Sequence, residues 1–389
     1  MRFDSSEIAF SHLDNNALKR ANLLFLLMSL RFLAVVGPKI IALMLFFRLP
    51  VLGLIRMTLF SHFCGGESIE DAQKTVVSLA RRGIGAILDY SVEGISDKKS
   101  LDLVLKELKS SIDQAKGAKA VPFAVFKVSG LARPQLLEKI QNLEVISNEE
   151  AQEFSEAKNR IEALCQHAAQ SKVKIFIDAE ESWIQDVIDG IAEDMMKRFN
   201  QKETYIFTTL QMYRIDRMEY LIGLHNKALE GGYKVGVKVV RGAYMEKERA
   251  RALRFHQPSP IHPDQFSTDR DYNLALEYCV ENRDIFSICA GTHNEFSSLK
   301  LVNLMEVHHI EKNDPRFFFA QLLGMSDHIS NVLALSGYNV AKYVPYGPLK
   351  EVLPYLFRRA QENTSIAGQA GRELTLLKKE VMRRRLKGI

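Results

Sequence analysis

Tyr233–Tyr244 reads YKVGVKVVRGAY, and the facing of its residues decides between the folds open to this chain. As an extended strand it turns Val235, Val237 and Val239 to one side and Gly236 and Lys238 to the other, because successive side chains point to opposite faces. Three valines suit a layer of covering helices. A glycine and a lysine suit the inside of a closed barrel, where a buried lysine must meet a partner or a ligand. Seven further runs share the short, β-branched or aromatic character: GIGAILDY (83–90), VPFAVFKVSG (121–130), VKIFIDAE (173–180), TYIFTTLQMY (204–213), FSICAGTHN (286–294), RFFFAQLLGM (316–325) and NVAKYVPYG (339–347). Helical patterns separate them, for example 150–170, 183–200, 212–230 and 271–283. Eight strands alternating with helices predict an α/β chain closed into a (βα)8 barrel of the TIM type. The doubly wound alternative would carry GxGxxG after its first strand, and that fingerprint is absent.

Polar residues recur toward the carboxyl end of one run after another: Asp89, Lys127, Asp178, Gln211, Arg241, Thr292 with His293 and Asn294, Gln321, and Tyr343. In a barrel those ends converge on one rim, where catalytic groups sit. A second concentration of chemistry lies in YLFRRAQEN (355–363). On a helix, Arg358 and Arg359 are neighbours, and Glu362 follows at i+4 and i+3, so one carboxylate can brace both guanidiniums. Two planar, permanently charged forks suit bidentate capture of a small carboxylate; a solvated basic face with ordinary salt bridges is the plain alternative.

Before the barrel runs, residues 15–66 contain no acidic residue, while Lys19, Arg20, Arg31, Lys39, Arg48 and Arg56 punctuate apolar stretches. A spanning helix needs about 20 uninterrupted apolar residues. Arg31, Lys39 and Arg48 break each candidate, so amphipathic helices are expected that either pack on the body or lie on an anionic membrane. Asp4 and Glu7 argue against a secretory signal. The tail carries Lys378, Lys379, Arg383, Arg384, Arg385 and Lys387. Three parts follow: a helical arm (1–82), a barrel (83–370) and a basic C-terminal helix (371–389). A net charge of +5 without a basic stripe interleaved with aromatics does not suggest nucleic-acid binding. Cys64, Cys165, Cys279 and Cys289 are scattered, so neither a disulfide framework nor a structural zinc site is indicated, and a reducing compartment is expected. No HxH or HExxH spacing occurs, and adjacent His308 and His309 do not suit two ligands on one helical face; no metal is expected.

VKVVRGAYMEKE (237–248), GTHNEFS (291–297), QLLGMSD (321–327) and KYVPYGPLKEVLPYLFRRAQEN (342–363), with FKVSGL and FIDAEES upstream, resemble the signature blocks of the proline dehydrogenase family in colinear order. The uninterrupted YVPYGP block and the tail look more like stand-alone, eukaryotic-type members than like bifunctional fusions. The resemblance implies a distorted (βα)8 barrel binding FAD at its carboxyl rim, with the arginine-bearing helix over the mouth. It implies oxidation of L-proline to 1-pyrroline-5-carboxylate by hydride transfer to the flavin; the basic, apolar arm points to a membrane quinone as the acceptor that reoxidises it.

Residue by residue, Lys127, Arg358 and Arg359 match the family's carboxylate-binding cations, Arg358 and Arg359 beside Glu362. Tyr244, Tyr343, Tyr355 and one of Leu322 or Leu323, with Leu323 preferred, match the walls of the ring site. Asp178 matches a rim acid near Lys127, as an ion-pair partner or in a direct role. Gln211, Lys238, Val240, Arg241, Gly242, Ala243, Thr292, His293, Asn294, Gln321 and Ser365 match flavin-binding positions; Lys238 stands where the fused enzymes place arginine. His293, tempting as a base, is taken as a cofactor contact. The expected setting is peripheral, on the cytoplasmic side of an inner membrane or the matrix side of the mitochondrial one. The rivals are a hydroxyproline dehydrogenase and a non-catalytic protein that binds membrane surfaces.

Overall fold

The computed structural model describes residues 1–29, 37, 44, 47, 51–91, 98–365 and 369–388, with the backbone alone at 98, 99, 360–365, 369 and 370. Eight parallel strands close into a barrel in chain order. They are β1 (Ile84–Tyr90), β2 (Phe123–Lys127), β3 (Lys174–Asp178), β4 (Ile206–Gln211), β5 (Val235–Val240), β6 (Phe286–Gly291), β7 (Phe317–Leu322) and β8 (Val340–Tyr346). The expected (βα)8 architecture is therefore the one the chain adopts. The chain divides into two compact units, residues 87–320 and residues 1–86 with 321–389.

In the unit 87–320, β5 faces as its alternation demands. Val235, Val237 and Val239 are fully buried, while Lys238 forms an ion pair with Asp178 of β3. At Gly236 an added Cβ would press into the Phe207 ring and the Ile206 carbonyl, so the missing side chain makes room for an aromatic layer. That layer stacks Phe123 on Phe176 at 4.3 Å between centroids and sets Phe207 edge-on to both, at 5.4 and 5.6 Å. Such offset and edge-on pairs fill the barrel interior near the strand starts with apolar area. Lys174 enters the same layer, its ammonium 5.0 Å from the Phe318 centroid, and burial pushes its pKa down to about 8.

Two helix starts differ from the sequence expectation. The helix expected from 212 begins at Arg217, because Met212 and Tyr213 donate their N–H groups to Val240 and Arg241 and so extend the β4 ladder. The helix expected from 271 begins at Gln265, where the Asp264 carboxylate accepts the Ser267 N–H and supplies the cap. A full capping box, Ser147 with Glu150, starts the helix Asn148–Gln170.

In the other unit, the helix Asn15–Met28 buries Leu18, Ala21, Phe25 and Met28. Phe10, Leu18 and Phe25 join Leu374, Leu376 and Leu377 of the C-terminal helix Gln369–Lys387 in one cluster. Met28, Ile55, Phe60 and Phe63 join Val352, Leu353, Tyr355 and Leu356 of the helix Leu349–Ser365 in another. The described parts of the arm thus spend one apolar face on packing. The opposite face leaves Leu23, Leu26, Leu27, Leu54 and Met57 exposed. Among the described residues no helix is long and apolar enough to cross a membrane. The basic tail is partly consumed by folding: Glu380 holds Arg383 and Arg384, and Arg384 also donates to the Phe10 and Leu13 carbonyls.

Candidate active site

Lys127 and Asp178 end adjacent strands and stand opposite each other in the β2–β3 register. Asp178 pairs with Lys238, accepts a long 3.4 Å hydrogen bond from Thr209 Oγ1, and lies one strand from Lys127, so Lys127, Asp178 and Lys238 come together at this rim. The Lys238 ammonium also sits 4.9 Å from the Phe176 ring centroid, which completes its apolar underside. Gln211, ending β4, bridges two loops: Nε2 donates to the Glu180 carbonyl at 2.7 Å and Oε1 accepts the Ala243 N–H at 3.0 Å. One amide therefore fixes Gly242 and Ala243 just past β5. Gly242 sits at φ 139, with the Tyr213 ring where a side chain would go, so only glycine fits there.

Arg241 is a brace. Nε donates to Asp269 at 2.6 Å, Nη1 to Thr292 Oγ1 at 2.6 Å and Nη2 to Ser297 Oγ at 2.9 Å, while the guanidinium lies 4.4 Å from the Tyr272 centroid. Among the described residues, three of its five N–H groups are engaged in these bonds. Thr292 also accepts the Asn294 N–H, and Asn294 caps the helix Glu295–Val307 by accepting from Ser297 N at 3.0 Å. Asn294 thereby has a structural task that its position past β6 did not reveal. His293, half-buried, follows Thr292, and Val240 ends β5 opposite Gln211. Tyr244 is buried at the start of the helix Met245–Phe255, its ring 5.3 Å from the Lys247 ammonium.

In the unit 1–86 with 321–389, Gln321 is buried and its Oε1 accepts from Ser330 at 2.7 Å. Leu323 N–H donates to the Tyr343 carbonyl at 2.9 Å, which ties the turn after β7 to β8. Leu322 packs on the cluster around Phe63 and Tyr355. Tyr343 was expected at the end of its strand but is the fourth of seven residues in β8. Gly65 N–H bonds the Pro345 carbonyl and Gly347 N–H bonds the Gly66 carbonyl, so the arm adds pairing that carries the strand to Tyr346. Arg359 is buried with its guanidinium 5.1 Å from the Tyr355 centroid, and Arg358 is half-buried beside it. The side chains of Glu362 and Ser365 lie outside the described residues.

Two features escaped the sequence reading. Lys342, adjacent to Tyr343, has no exposed surface; it donates to the Leu322 and Met325 carbonyls and pairs with Asp327 at 2.8 Å. Strict alternation along β8 turns it opposite to Tyr343, and a lysine there was the available signal. Glu180 is a buried acid two residues past Asp178; the FIDAEE run held it in plain view among three acids.

The sequence profile described as Proline dehydrogenase matches residues 72–372. The chain belongs to the proline dehydrogenase family. It is an oxidoreductase of that type, and its family supports proline oxidation. Among curated relatives, it is 34% identical over 329 residues to the carbapenem antibiotics biosynthesis protein CarD of Pectobacterium carotovorum, covering 85% of each chain. It is 30% identical over 382 residues to mitochondrial proline dehydrogenase 1 of Arabidopsis thaliana, covering 87% of this chain and 77% of that one. A solved structure of proline utilization A (PutA) from Bdellovibrio bacteriovorus, inactivated by N-propargylglycine, superposes with a TM-score of 0.72 at 19% identity. That match covers 82% of this chain but 35% of the other, and it speaks for the barrel fold.

Proposed function

We propose that the chain oxidises L-proline to 1-pyrroline-5-carboxylate with FAD as hydride acceptor, and that a quinone takes the electrons onward. The observation that carries the reading is the inward Lys238–Asp178 pair beside Lys127 in a barrel of this family. The donor set fits a flavin: buried amides at Gln211 and Gln321, a glycine at positive φ before Ala243, and a braced arginine at the end of β5. Those residues, with Lys238, Val240, Thr292, His293, Asn294 and Ser365, would hold FAD, which when bound supplies the hydride acceptor. Lys127, Arg358 and Arg359 would grip the substrate carboxylate, and Tyr244, Leu323, Tyr343 and Tyr355 would wall its ring. Orientation of the ring carbon next to nitrogen is then the protein's main contribution. Cations and apolar walls lower the pKa of the substrate amine, so turnover rises toward alkaline pH as the neutral amine accumulates.

A peripheral membrane setting is part of the same reading. Exposed Leu23, Leu26, Leu27, Leu54 and Met57 alternate with Lys19, Arg20 and Arg56 in a segment without acids before Glu67. Each basic residue near an anionic surface contributes about 1 kcal/mol. Co-sedimentation with liposomes should require anionic lipid and fade with salt; binding indifferent to lipid charge would leave the arm a packing element only. The enzymatic reading is tested by colour and turnover: the purified protein should absorb in the visible as a flavoprotein and reduce a dye on addition of proline. A colourless protein inert to proline would overturn it and favour the membrane-surface alternative.

A further inference from the structure

The Glu180 carboxyl is buried and pinned from every side. Its own N–H donates to Gln185 Oε1 at 2.7 Å and its carbonyl accepts from Gln211 Nε2 at 2.7 Å, so the backbone is fixed on both edges. Its Oε1 accepts the Ser129 N–H at 2.8 Å, and its Oε2 is hydrogen-bonded to Ser129 Oγ. Ser129 lies in the single 3-10 turn Val128–Gly130 that directly follows Lys127. A serine hydroxyl can donate or accept, so the carboxyl can be ionised or protonated in the same place without unseating that turn.

Among the described residues, the charged groups that act most on Glu180 are Lys127 from β2 and Glu181 beside it in the chain. Burial, with Glu181 adding to it, outweighs the pull of Ser129 and Lys127 and leaves its pKa raised to about 7. A second carboxylate arriving at Lys127 would share that cation, and two carboxylates sharing one site drive one of them to protonate.

We propose that Glu180 is a proton-holding positioning residue, whose protonated form is favoured when a small carboxylate docks on Lys127. This rests on the reading that Lys127 receives the substrate carboxylate. The only bond formed is O–H on Glu180 Oε2, with the proton drawn from solvent; Ser129 Oγ turns from donor to acceptor. The substrate thus adds its negative charge without leaving two buried anions around one lysine. By linkage, carboxylate binding tightens as pH falls through about 7 and weakens above it.

Cyclopentanecarboxylate is a suitable probe, because it keeps the ring and the carboxylate but has neither an oxidisable C–N bond nor an amine proton. Titrated calorimetrically into the purified full chain with its cofactor, in buffers of different ionisation enthalpy, it should bind with a fractional uptake of a proton that is largest just above neutral pH and vanishes at both pH extremes. Its affinity should fall about tenfold between about pH 6 and about pH 9, the equivalent of one pKa unit of coupling. Glu180→Gln keeps an acceptor for the Ser129 N–H and a donor for Ser129 Oγ. It should bind with the wild type's low-pH affinity, show no pH dependence and take up no proton. In parallel, the buried-carboxyl band in infrared pH-difference spectra of the wild type should move its midpoint upward on adding the probe. A Glu180→Gln protein that keeps the wild-type pH slope, or a wild-type midpoint that does not move, overturns the inference while leaving proline oxidation intact. A wild type that binds no probe and does not oxidise proline overturns the reading of Lys127, and this inference with it.

Discussion

Two lysine–aspartate pairs, one in each compact unit, use the same chemistry for different ends. In the Lys342–Asp327 pair the lysine is sealed: it has no accessible side-chain surface, and its three N–H groups meet the Leu322 carbonyl, the Met325 carbonyl and Asp327. Around them, His12 lies 3.3 Å from Asp327, Arg82 donates to Asn331, and Asn331 donates to the Ala9 carbonyl. Burial pushes the Asp327 carboxyl up, but Lys342 and His12 outweigh it and hold it well below the usual carboxylate range. This cluster fastens the helix Ser6–Phe10 and the His12 that follows it, the turn after β7, and β8 to one another. The difference lies in the lysines: Lys238, paired with Asp178 and facing the barrel interior, keeps 8% of its side-chain surface accessible where Lys342 keeps none. A fully enclosed, saturated ammonium such as Lys342 is a fastener; the role proposed for Lys238 is the binding of a ligand.

Lys342→Met should separate the pairs most sharply. It leaves Asp327 buried without its main partner, and breaking one side of a buried pair costs about 3–5 kcal/mol. Denaturant unfolding should show that loss, and Lys342→Met with Asp327→Leu should recover most of it. The pH dependence has a definite sign. A carboxyl with a depressed folded pKa stabilises above its unfolded value and loses that stability as pH falls through the folded one. Removing Lys342 raises the folded pKa, so the acid limb of unfolding should move toward neutrality; an unmoved limb would contradict the pairing.

Lys238→Met should show the opposite profile. Its stability loss should stay near 1–3 kcal/mol, the cost of an unsatisfied buried partner, while dye reduction with proline drops about a hundredfold or more through lost electrostatic placement. Equal behaviour of the two variants would erase the distinction. Arg358→Met and Arg359→Met should retain cofactor and raise the apparent KM for proline about 10- to 150-fold, the loss of a charge-assisted hydrogen bond. Arg359→Met should also lower the unfolding midpoint slightly, since its guanidinium packs on Tyr355. The smallest effect is expected at Tyr343. Tyr343→Ser should reduce kcat/KM for proline while narrowing a preference over hydroxyproline of roughly 10- to 200-fold. An unchanged ratio of the two efficiencies would remove Tyr343 from the ring wall.

The sequence by itself determined the barrel, because strand alternation and βα succession are local patterns and β5 carries its facing in six residues. It also marked most rim positions, since polar residues at strand ends interrupt apolar runs that packing would otherwise fill. Tertiary structure alone decided what each polar group does. Asn294 is a helix cap, Arg241 is braced on Asp269, Thr292 and Ser297, and Tyr343 lies mid-strand because residues 65–66 pair alongside β8. The same holds for Glu180 and Lys342. Their partners lie 51 and 15 or more residues away in the chain, and a charge becomes a fastener or a proton holder only through burial and through the neighbours that folding brings within hydrogen-bond reach.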